Sequence, residues 1–341
     1  MEEERHIVSR IVRGDLPGGI AGPPGAGDCT APGISVVMCT YRRAASLKEF
    51  LDSLLLQDPR PRRLIIVDAS PDDETERMVG VRNGTERLAD TLLYFRVEGP
   101  LKGLTRQRNF GIRWVATDLV AFFDDDVVLG GGCLAEMERA HRHGAGSIVG
   151  VGGYTEGSHR PPDRLWRARR FLGIVTDLRP GSYQRSGMSV PWWFLPPTDH
   201  VVDVDWLPGC AMMWNTSVLR EIGFGESFEG YAQGEDLDFS LRARKRGRLV
   251  MAGGAHYVHR FDESGRPDHF KLGYMAIYNR FQIQRRGLEG RTRRDVALFA
   301  YAWGLDTVML MRHLLFPRRI LPTLRQMRGR LKATFDIMTG H

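Results

Sequence analysis

The most constraining feature of the sequence is an apolar run, Leu119 to Phe123, that ends in three consecutive carboxylates, Asp124, Asp125 and Asp126. A short apolar run predicts a buried strand, and open α/β sheets bind their ligands at the carboxyl ends of their strands. Adjacent carboxylates repel one another and lose hydration when they are buried. We therefore expect a positive partner, most simply a divalent cation completed by substrate phosphates. The alternative is a surface turn that caps the helix after the glycines at 130–132.

Strand and helix patterns alternate on both sides of this run, which predicts an α/β fold. Apolar runs predict strands at residues 34–40, 63–67, 92–97, 119–123 and 147–154. A helical apolar stripe follows the first strand, and a capping signal from Ser70 to Asp73 predicts the start of the next helix.

The turn after the first predicted strand reads Thr40, Tyr41, Arg42, Arg43. Because it lacks GxGxxG, a dinucleotide-binding Rossmann site is disfavoured, although a nucleotide can still bind. Asp68 ends the second strand, where its carboxylate can accept hydrogen bonds from a ribose or a base. An Asx turn or a helix cap explains Asp68 equally well on local grounds.

A helix is predicted from Gly103 to Ala116, and its first turns carry Arg106 and Asn109. Helix N-termini and arginines both favour phosphate, so these two side chains are candidate contacts of a donor. For Arg108 and Arg113, solvated charge is the competing interpretation.

An acidic pair, Glu235 and Asp236, opens a predicted helix that ends before Gly247. An ionised carboxylate in a first turn can act as a general base, or it can simply compensate the helix dipole. Farther along, one of His256 and His259 is a candidate metal ligand and the other is structural. Residues 156–200 form a long insert rich in proline and aromatic residues, which lines an acceptor pocket or packs internally.

The 341 residues carry a net charge of +7, which indicates an anionic partner such as nucleotide phosphates, a phospholipid surface or nucleic acid. The four cysteines form no CxxC pair, so neither a zinc knuckle nor a disulfide framework is indicated. The acidic start of the chain, Glu2 to Glu4, is unlike a secretory signal. We therefore expect a cytoplasmic protein.

The two ends of the chain differ from its middle. Residues 1–33 end in a Gly/Pro-rich stretch and are interpreted as a flexible lead-in. Residues 263–341 predict a helical region, in which an apolar run at 296–316 is interrupted by charged residues. This run is either an interfacial helix on the anionic inner face of the cell membrane, which we favour, or part of a pair of core helices.

Three signals occur in a fixed order: Asp68 after its strand, the carboxylate run at 124–126, and Gly234-Glu235-Asp236 followed by His259. As a set they resemble the inverting glycosyltransferases of family two, over about residues 34 to 260. The resemblance implies the GT-A type of α/β fold, a Rossmann-like mixed sheet flanked by helices, with a C-terminal helical extension. The catalytic domain would be 34–262, with a nucleotide-sugar half, 34–126, and an acceptor half, 127–262, that holds the insert.

The resemblance also implies roles for the residues. The donor, a nucleotide sugar, would contact Thr40, Tyr41, Arg42, Asp68, Arg106, Asn109, Asp124 and Asp125. Mn²⁺ or Mg²⁺ would bind Asp124, Asp126 and His259, with Asp126 as a direct ligand. Asp236, with Glu235 beside it, would be the catalytic base toward a hydroxyl of a glycan, lipid-linked or small-molecule acceptor.

Rival interpretations stay open at this point. A nucleotidyltransferase or a retaining transferase on a related fold would also use carboxylates and metal. A catalytically silent GT-A-like protein would bind its ligand without catalysing a reaction. Nucleic acid is not an expected partner, because only the basic composition favours it. The sequence departs from the family in having Ala69 after Asp68, and it lacks the QxxRW motif of processive synthases, which favours a single hexosyl or deoxyhexosyl transfer.

Overall fold

The computed structural model describes residues 7–13, 31–144, 146–228, 232–261 and 268–340. Its strands are β1 (Ile7–Arg13), β2 (Ala31–Thr40), β3 (Arg63–Asp68), β4 (Thr91–Val97), β5 (Thr117–Phe123), β6 (Val127–Leu129), β7 (Ile148–Thr155), β8 (Val201–Val204), β9 (Ala211–Asn215) and β10 (Arg248–His259). Its α-helices are α1 (Ala44–Leu55), α2 (Glu74–Thr85), α3 (Leu104–Ile112), α4 (Cys133–His143), α5 (Arg164–Phe171), α6 (Thr216–Ile222), α7 (Glu235–Ala243), α8 (His269–Gly287), α9 (Arg293–Leu310) and α10 (Ile320–Thr339).

The strands form one mixed sheet in the order β1-β4-β3-β2-β5-β9-β7-β10-β6, with β8 paired to β10. Strands β4, β3, β2 and β5 are parallel, whereas β9 runs antiparallel between β5 and β7. The parallel strands read as continuous apolar runs because helices cover both faces of such a sheet. The predicted mixed sheet flanked by helices is therefore confirmed.

Helix α3 packs closely on the parallel strands. A Cβ atom added to Gly111 would lie 2.6 Å from Cγ1 of Val37 on β2, so the helix approaches the sheet where it has no side chain. Gln107, one turn earlier, donates from Nε2 to the carbonyl oxygens of Thr40, at 3.3 Å, and of Val67, at 2.8 Å. These bonds hold the carboxyl ends of β2 and β3 to the helix.

The chain divides into two compact units. The first contains Met1–His159 and Pro196–Gly265, and the second contains Arg160–Leu195 and Arg266–His341. Residues 160–195 are thus grouped with the C-terminal helices, whereas the sequence interpretation put the whole insert in the acceptor half. The insert is also not irregular throughout, because α5 lies within it and Asp163 caps that helix by accepting from the backbone N–H of Trp166.

The second unit has its own apolar cluster and a predominantly helical structure, as predicted. Ile174, Val175, Met188 and Ala302 form the buried cluster. Helices α8 and α10 touch through their backbones, since a Cβ atom on Gly329 would lie 2.0 Å from the carbonyl oxygen of Phe270. Among the described residues, no helix combines the length and the hydropathy that crossing a bilayer requires.

Three local predictions were wrong. Residues 1–33 are not a lead-in throughout, because β1 pairs antiparallel with β4, while residues 14–30 lie outside the described part. Helix α2 begins after Asp73 without a side-chain cap, so the capping signal at Ser70 does not operate. The apolar run at 296–316 is not one helix, since α9 ends at Leu310 and a short 3₁₀ helix, Met311–Leu315, follows.

Candidate active site

The predicted metal ligands meet at the carboxyl end of β5. One ligand atom each of Asp124, Asp126 and His259 lie within 4.8 Å of one another. Sheet register explains the meeting, because β10 pairs with β6 so that His259 lies opposite Val127, and the backbone N–H of Arg260 donates to the carbonyl of Asp126 at 2.9 Å. The histidine is therefore positioned by backbone pairing across the sheet.

The charges within this trio are strongly coupled. Burial and the neighbouring Asp126 carboxylate raise the pKa of Asp124, although Arg108 opposes that shift. Burial lowers the pKa of His259, but hydrogen bonds with Asp126, at 3.0 Å, and Cys210 outweigh it and raise the pKa to about 10. Two carboxylates and one imidazole are a donor set that fits a divalent cation, which would displace the imidazole proton on binding.

Asp125 does not face the same side as its neighbours. Its carboxylate is buried, accepting from Thr40 Oγ1 at 2.7 Å and from Arg43 Nη1 at 3.0 Å. Burial raises the pKa of Asp125 to about 7, despite the guanidinium beside it. Asp125 and the Thr40 hydroxyl together hold the turn after β2 against the carboxylate run, and their donor contacts stay predictions.

Arg43 is a site residue that the sequence interpretation missed. Besides its bond to Asp125, its Nη1 lies 3.8 Å from Oδ2 of Asp126. The signal was available, since three adjacent carboxylates demand a compensating cation and Arg43 ends the turn opposite them.

Tyr41 and Arg42 remain accessible beside this turn. Tyr41 is exposed, and the Arg42 guanidinium lies 5.4 Å from the centre of its ring. Arg42 has a positive φ of 56°, and its backbone N–H donates to Ser70 Oγ at 2.7 Å. The kinked backbone points both side chains away from the core, so a donor contact by them stays a prediction.

Asp68 is fully buried at the end of β3. Its Oδ1 accepts from the backbone N–H of Ser70 and its Oδ2 from the Tyr94 hydroxyl, both at 2.7 Å. The first bond is the Asx turn that was one of the two alternatives. The predicted contact between Asp68 and a nucleoside remains untested.

Arg108 and Glu235 form a buried ion pair, which excludes the solvated alternative for Arg108 and leaves the catalytic part of Glu235 a prediction. Arg108 is not a solvated charge: its Nη2 donates to the carbonyl of Gly209 at 3.1 Å and lies 3.6 Å from Oδ1 of Asp124. Burial and the adjacent Asp236 carboxylate raise the pKa of Glu235 well above its ordinary value, although Arg108 acts in the opposite direction.

Asp236 is the half-buried member of the acidic pair at the start of α7. Its Oδ2 accepts from the backbone N–H of Gly209 at 3.0 Å, and its Oδ1 from the N–H of Leu237 at 2.8 Å. A Cβ atom on Gly209 would lie 3.2 Å from Cβ of Asp236, so a glycine permits this approach. Two backbone donors thus fix the orientation of a carboxylate that can accept a proton.

The two predicted phosphate contacts on α3 have different surroundings. Both amide atoms of Asn109 are engaged with one loop: Nδ2 donates to the carbonyl of Phe224, at 3.0 Å, and Oδ1 accepts from its N–H, at 2.8 Å. Asn109 therefore fixes this loop, and its donor contact stays a prediction. Arg106 is half-buried and makes no ion pair with any residue in the described part of the chain, so it stays a candidate.

The comparisons with known proteins agree with this arrangement. The model of the family described as glycosyl transferase family 2 matches residues 35–190. Residues 35–190, a little under half of the chain, thus resemble family 2. They include the turn after β2, helix α3 and the carboxylate run, and over these residues the predicted family resemblance is confirmed.

Two curated glucosyltransferases are similar to the chain. Validoxylamine A glucosyltransferase of Streptomyces hygroscopicus subsp. limoneus is 29% identical over 245 residues, 67% of this chain and 51% of the relative. GalNAc(5)-diNAcBac-PP-undecaprenol beta-1,3-glucosyltransferase of Campylobacter jejuni is 25% identical over 119 residues, 35% of this chain and 38% of the relative. The chain thus spans about half, or less, of the length of the curated relatives it matches.

A solved structure confirms the fold beyond the family 2 segment. The mannosyltransferase PcManGT from Pyrobaculum calidifontis, in complex with GDP-Man and Mn²⁺, superposes with a TM-score of 0.55 at 16% identity, covering 94% of this chain and 91% of that chain. The predicted GT-A fold is confirmed.

Proposed function

We propose that this chain is an inverting, metal-dependent glycosyltransferase that moves a sugar from a nucleoside-diphosphate donor to an acceptor hydroxyl. The observation that carries the proposal is the convergence of Asp124, Asp126 and His259 at the carboxyl end of β5. The charge of Asp236 adds to those that raise the pKa of Asp124. The family 2 match and the GDP-Man and Mn²⁺ named for PcManGT support the same reaction class.

Asp126 and His259 would hold the cation, and Asp124, whose side chain is about a third exposed at 35%, would reach it from the open side. An imidazole among carboxylates suits Mn²⁺ better than Mg²⁺, which prefers oxygen ligands. When bound, the cation would neutralise the charge that develops on the departing diphosphate. Arg43, bonded to Asp125, lies 3.8 Å from Asp126 and would offset part of the negative charge there.

Asp236 would act as the general base. The acceptor oxygen attacks the anomeric carbon while its proton passes to the Asp236 carboxylate, and the bond from that carbon to the diphosphate oxygen breaks with its electron pair leaving on the diphosphate. One in-line displacement inverts the anomeric configuration, and no covalent intermediate is required. Tyr41, Arg42, Asp68 and Arg106 are the proposed donor contacts.

The acceptor would be a hydroxyl on a glycan, a lipid-linked saccharide or a small molecule. The names of the two curated relatives support a lipid-linked and a small-molecule acceptor. One name includes an undecaprenol-diphosphate-linked saccharide and the other the small molecule validoxylamine A. Both names describe glucosyl transfer, which supports a hexose as the transferred sugar. A place on the inner face of the cell membrane would suit a lipid-linked acceptor.

The test has two stages. Thermal stabilisation by UDP, GDP, dTDP and CMP, each with Mn²⁺ and with EDTA, identifies the donor base, because a ligand that binds only the native state raises the melting temperature. The matching nucleotide sugars are then offered with candidate acceptors, and the anomeric configuration of the product is read by NMR. An inverted product supports the proposal. A retained configuration indicates a retaining transferase, and a metal-dependent shift without turnover over any acceptor indicates a binding protein.

A further inference from the structure

Helix α10 carries an apolar stripe on its solvent side. Its members are separated by three, seven, four and three residues, close to whole helical turns, which places them along one face of a helix. The stripe, as we name it below, consists of Leu321, Leu324, Leu331, Phe335 and Met338. Exposure is high, reaching 68% for Leu331 and 81% for Met338.

The opposite face of α10 packs against its neighbours in the second unit. Its buried residues, Thr323, Gly329, Arg330, Ala333 and Asp336, lie on the side that packs against α8. Two of the side chains among them are paired: Arg330 donates through Nη1 to Asp306 at 3.2 Å, and Asp336 accepts from Lys332 and Tyr274. The stripe is therefore a second apolar face, beyond the one needed to dock the helix.

The surroundings of the stripe are uniformly basic. The sequence from Thr307 to Phe335 contains six arginines and one lysine and no acidic residue. Arg312, Arg318 and Arg328 form no ion pair with a residue that the structure describes. In front of α10, Leu315 and Phe316 extend the apolar surface, with exposures of 81% and 58%, and the Arg319 guanidinium lies 6.0 Å from the centre of the Phe316 ring.

The position of Arg328 favours a lipid surface over a second copy of the chain as the partner of the stripe. It lies on the stripe itself, between Leu324 and Leu331 and close to the midpoint of α10, Ile320–Thr339. An antiparallel two-fold pairing of two α10 helices would bring equivalent midpoints together and oppose two guanidiniums. At a bilayer the same side chain extends its aliphatic stem along the apolar surface and reaches the phosphate layer.

From this arrangement we infer that the stripe, with the exposed residues Leu315 and Phe316, docks the chain on a bilayer of anionic phospholipid. Helix α10 lies flat in the interface with its apolar side chains among the acyl chains, and the surrounding arginines contact headgroup phosphates. Twenty helical residues extend about 30 Å, so the contact is linear rather than a single point. The inference is independent of the chemistry proposed for the sheet unit.

Flotation of the full chain with large unilamellar vesicles tests the inference. The vesicles are phosphatidylcholine alone or mixed with phosphatidylglycerol, at low and high salt. We expect partition onto the anionic vesicles that weakens as salt rises. The double substitution Leu331→Glu and Phe335→Glu should lower the partition coefficient by about a hundredfold or more, since two apolar anchors leave the membrane. Val81→Glu on α2, at an equally exposed apolar residue, is the matched control and should change nothing.

A second variant tests the charge contribution separately. Arg318→Gln with Arg328→Gln should lower partition onto phosphatidylglycerol vesicles by about tenfold or more and leave the weak binding to phosphatidylcholine unchanged. Equal flotation of the wild type and the Leu331/Phe335 variant would overturn the inference. So would a wild-type chain that fails to float but forms a dimer in solution that this variant dissociates, which would assign the stripe to a second copy.

Discussion

Asp236 and Glu235 are adjacent in sequence, yet their carboxylates have different surroundings. Glu235 is buried against Arg108, whereas Asp236 is half-buried and held by two backbone N–H groups. The sequence placed both in a first helical turn but could not separate them, because the partner of Glu235 lies 127 residues away on α3. The same long separation left solvated charge open as an interpretation of Arg108.

Asp236→Asn should lower kcat by about 10²- to 10⁴-fold, because the amide cannot accept the acceptor proton while its shape preserves the hydrogen bond from Gly209. Stabilisation by nucleotide and Mn²⁺ should persist. Asp90→Asn, at an exposed acid on the surface, serves as the control and should keep full activity. Wild-type turnover by Asp236→Asn would remove this residue from the chemistry.

Arg108→Met should lower the free energy of unfolding by about 3–5 kcal/mol, because Glu235 is left buried without its cation. Adding Glu235→Leu should recover much of this loss, since the unpaired charge is then gone. Urea unfolding of both single variants and of the double variant gives the coupling energy. If the losses in free energy of unfolding of the two single variants simply add up in the double variant, Arg108 and Glu235 do not stabilise each other.

At the scale of elements, helix α3 links the two halves of the site. It carries Gln107, which binds the ends of β2 and β3, and Arg108, which reaches the start of α7. Its sequence predicted the helix but not these contacts, because a polar first turn reads as solvated when its partners are far along the chain.

Gly111→Ala should lower the free energy of unfolding by about 1–3 kcal/mol, because the added methyl group would overlap Val37 and push α3 off the sheet. Gly80→Ala is the matched control: it lies in helix α2, and nothing within 4 Å would meet its Cβ atom. This control should gain about 0.5–1 kcal/mol of stability from helix propensity. Urea midpoints that fall equally for both variants would contradict the close packing of α3.

At the scale of the whole molecule, the order of the motifs along the chain predicted more than any single motif did. Asp68, the run at 124–126, the acidic pair and His259 each have a local explanation, and only their common order indicated the family. The trio then meets because pairing between β6 and β10 closes a separation of 133 residues from Asp126 to His259. Strand β1 was not predicted, because its partner β4 lies far along the chain and a Gly/Pro-rich stretch follows its own segment.

Removal of metal should abolish the stabilisation of the chain by its nucleotide. With nucleotide at a hundredfold excess over its dissociation constant, the native state gains about 2.7 kcal/mol, which is lost when EDTA removes Mn²⁺. Asp126→Ala should give the EDTA result even with Mn²⁺ present, whereas Asp72→Asn should behave as the wild type. Scanning calorimetry measures all of these melting temperatures. If nucleotide with Mn²⁺ stabilises the Asp126→Ala chain as much as the wild type, the trio is excluded as the cation site.

The pairing of the last residues of β10, Arg248–His259, with β6 makes the site vulnerable to a kind of change that substitutions do not probe. Consecutive side chains of a strand point in opposite directions, so the loss of one codon within it advances every later residue by one place. If the end of the strand takes up that shift, Arg260 moves to the place of His259. A cation-binding cluster would then hold a fixed positive charge in place of a ligand, so we expect length changes in this strand to be rarer among active relatives than changes of its residues.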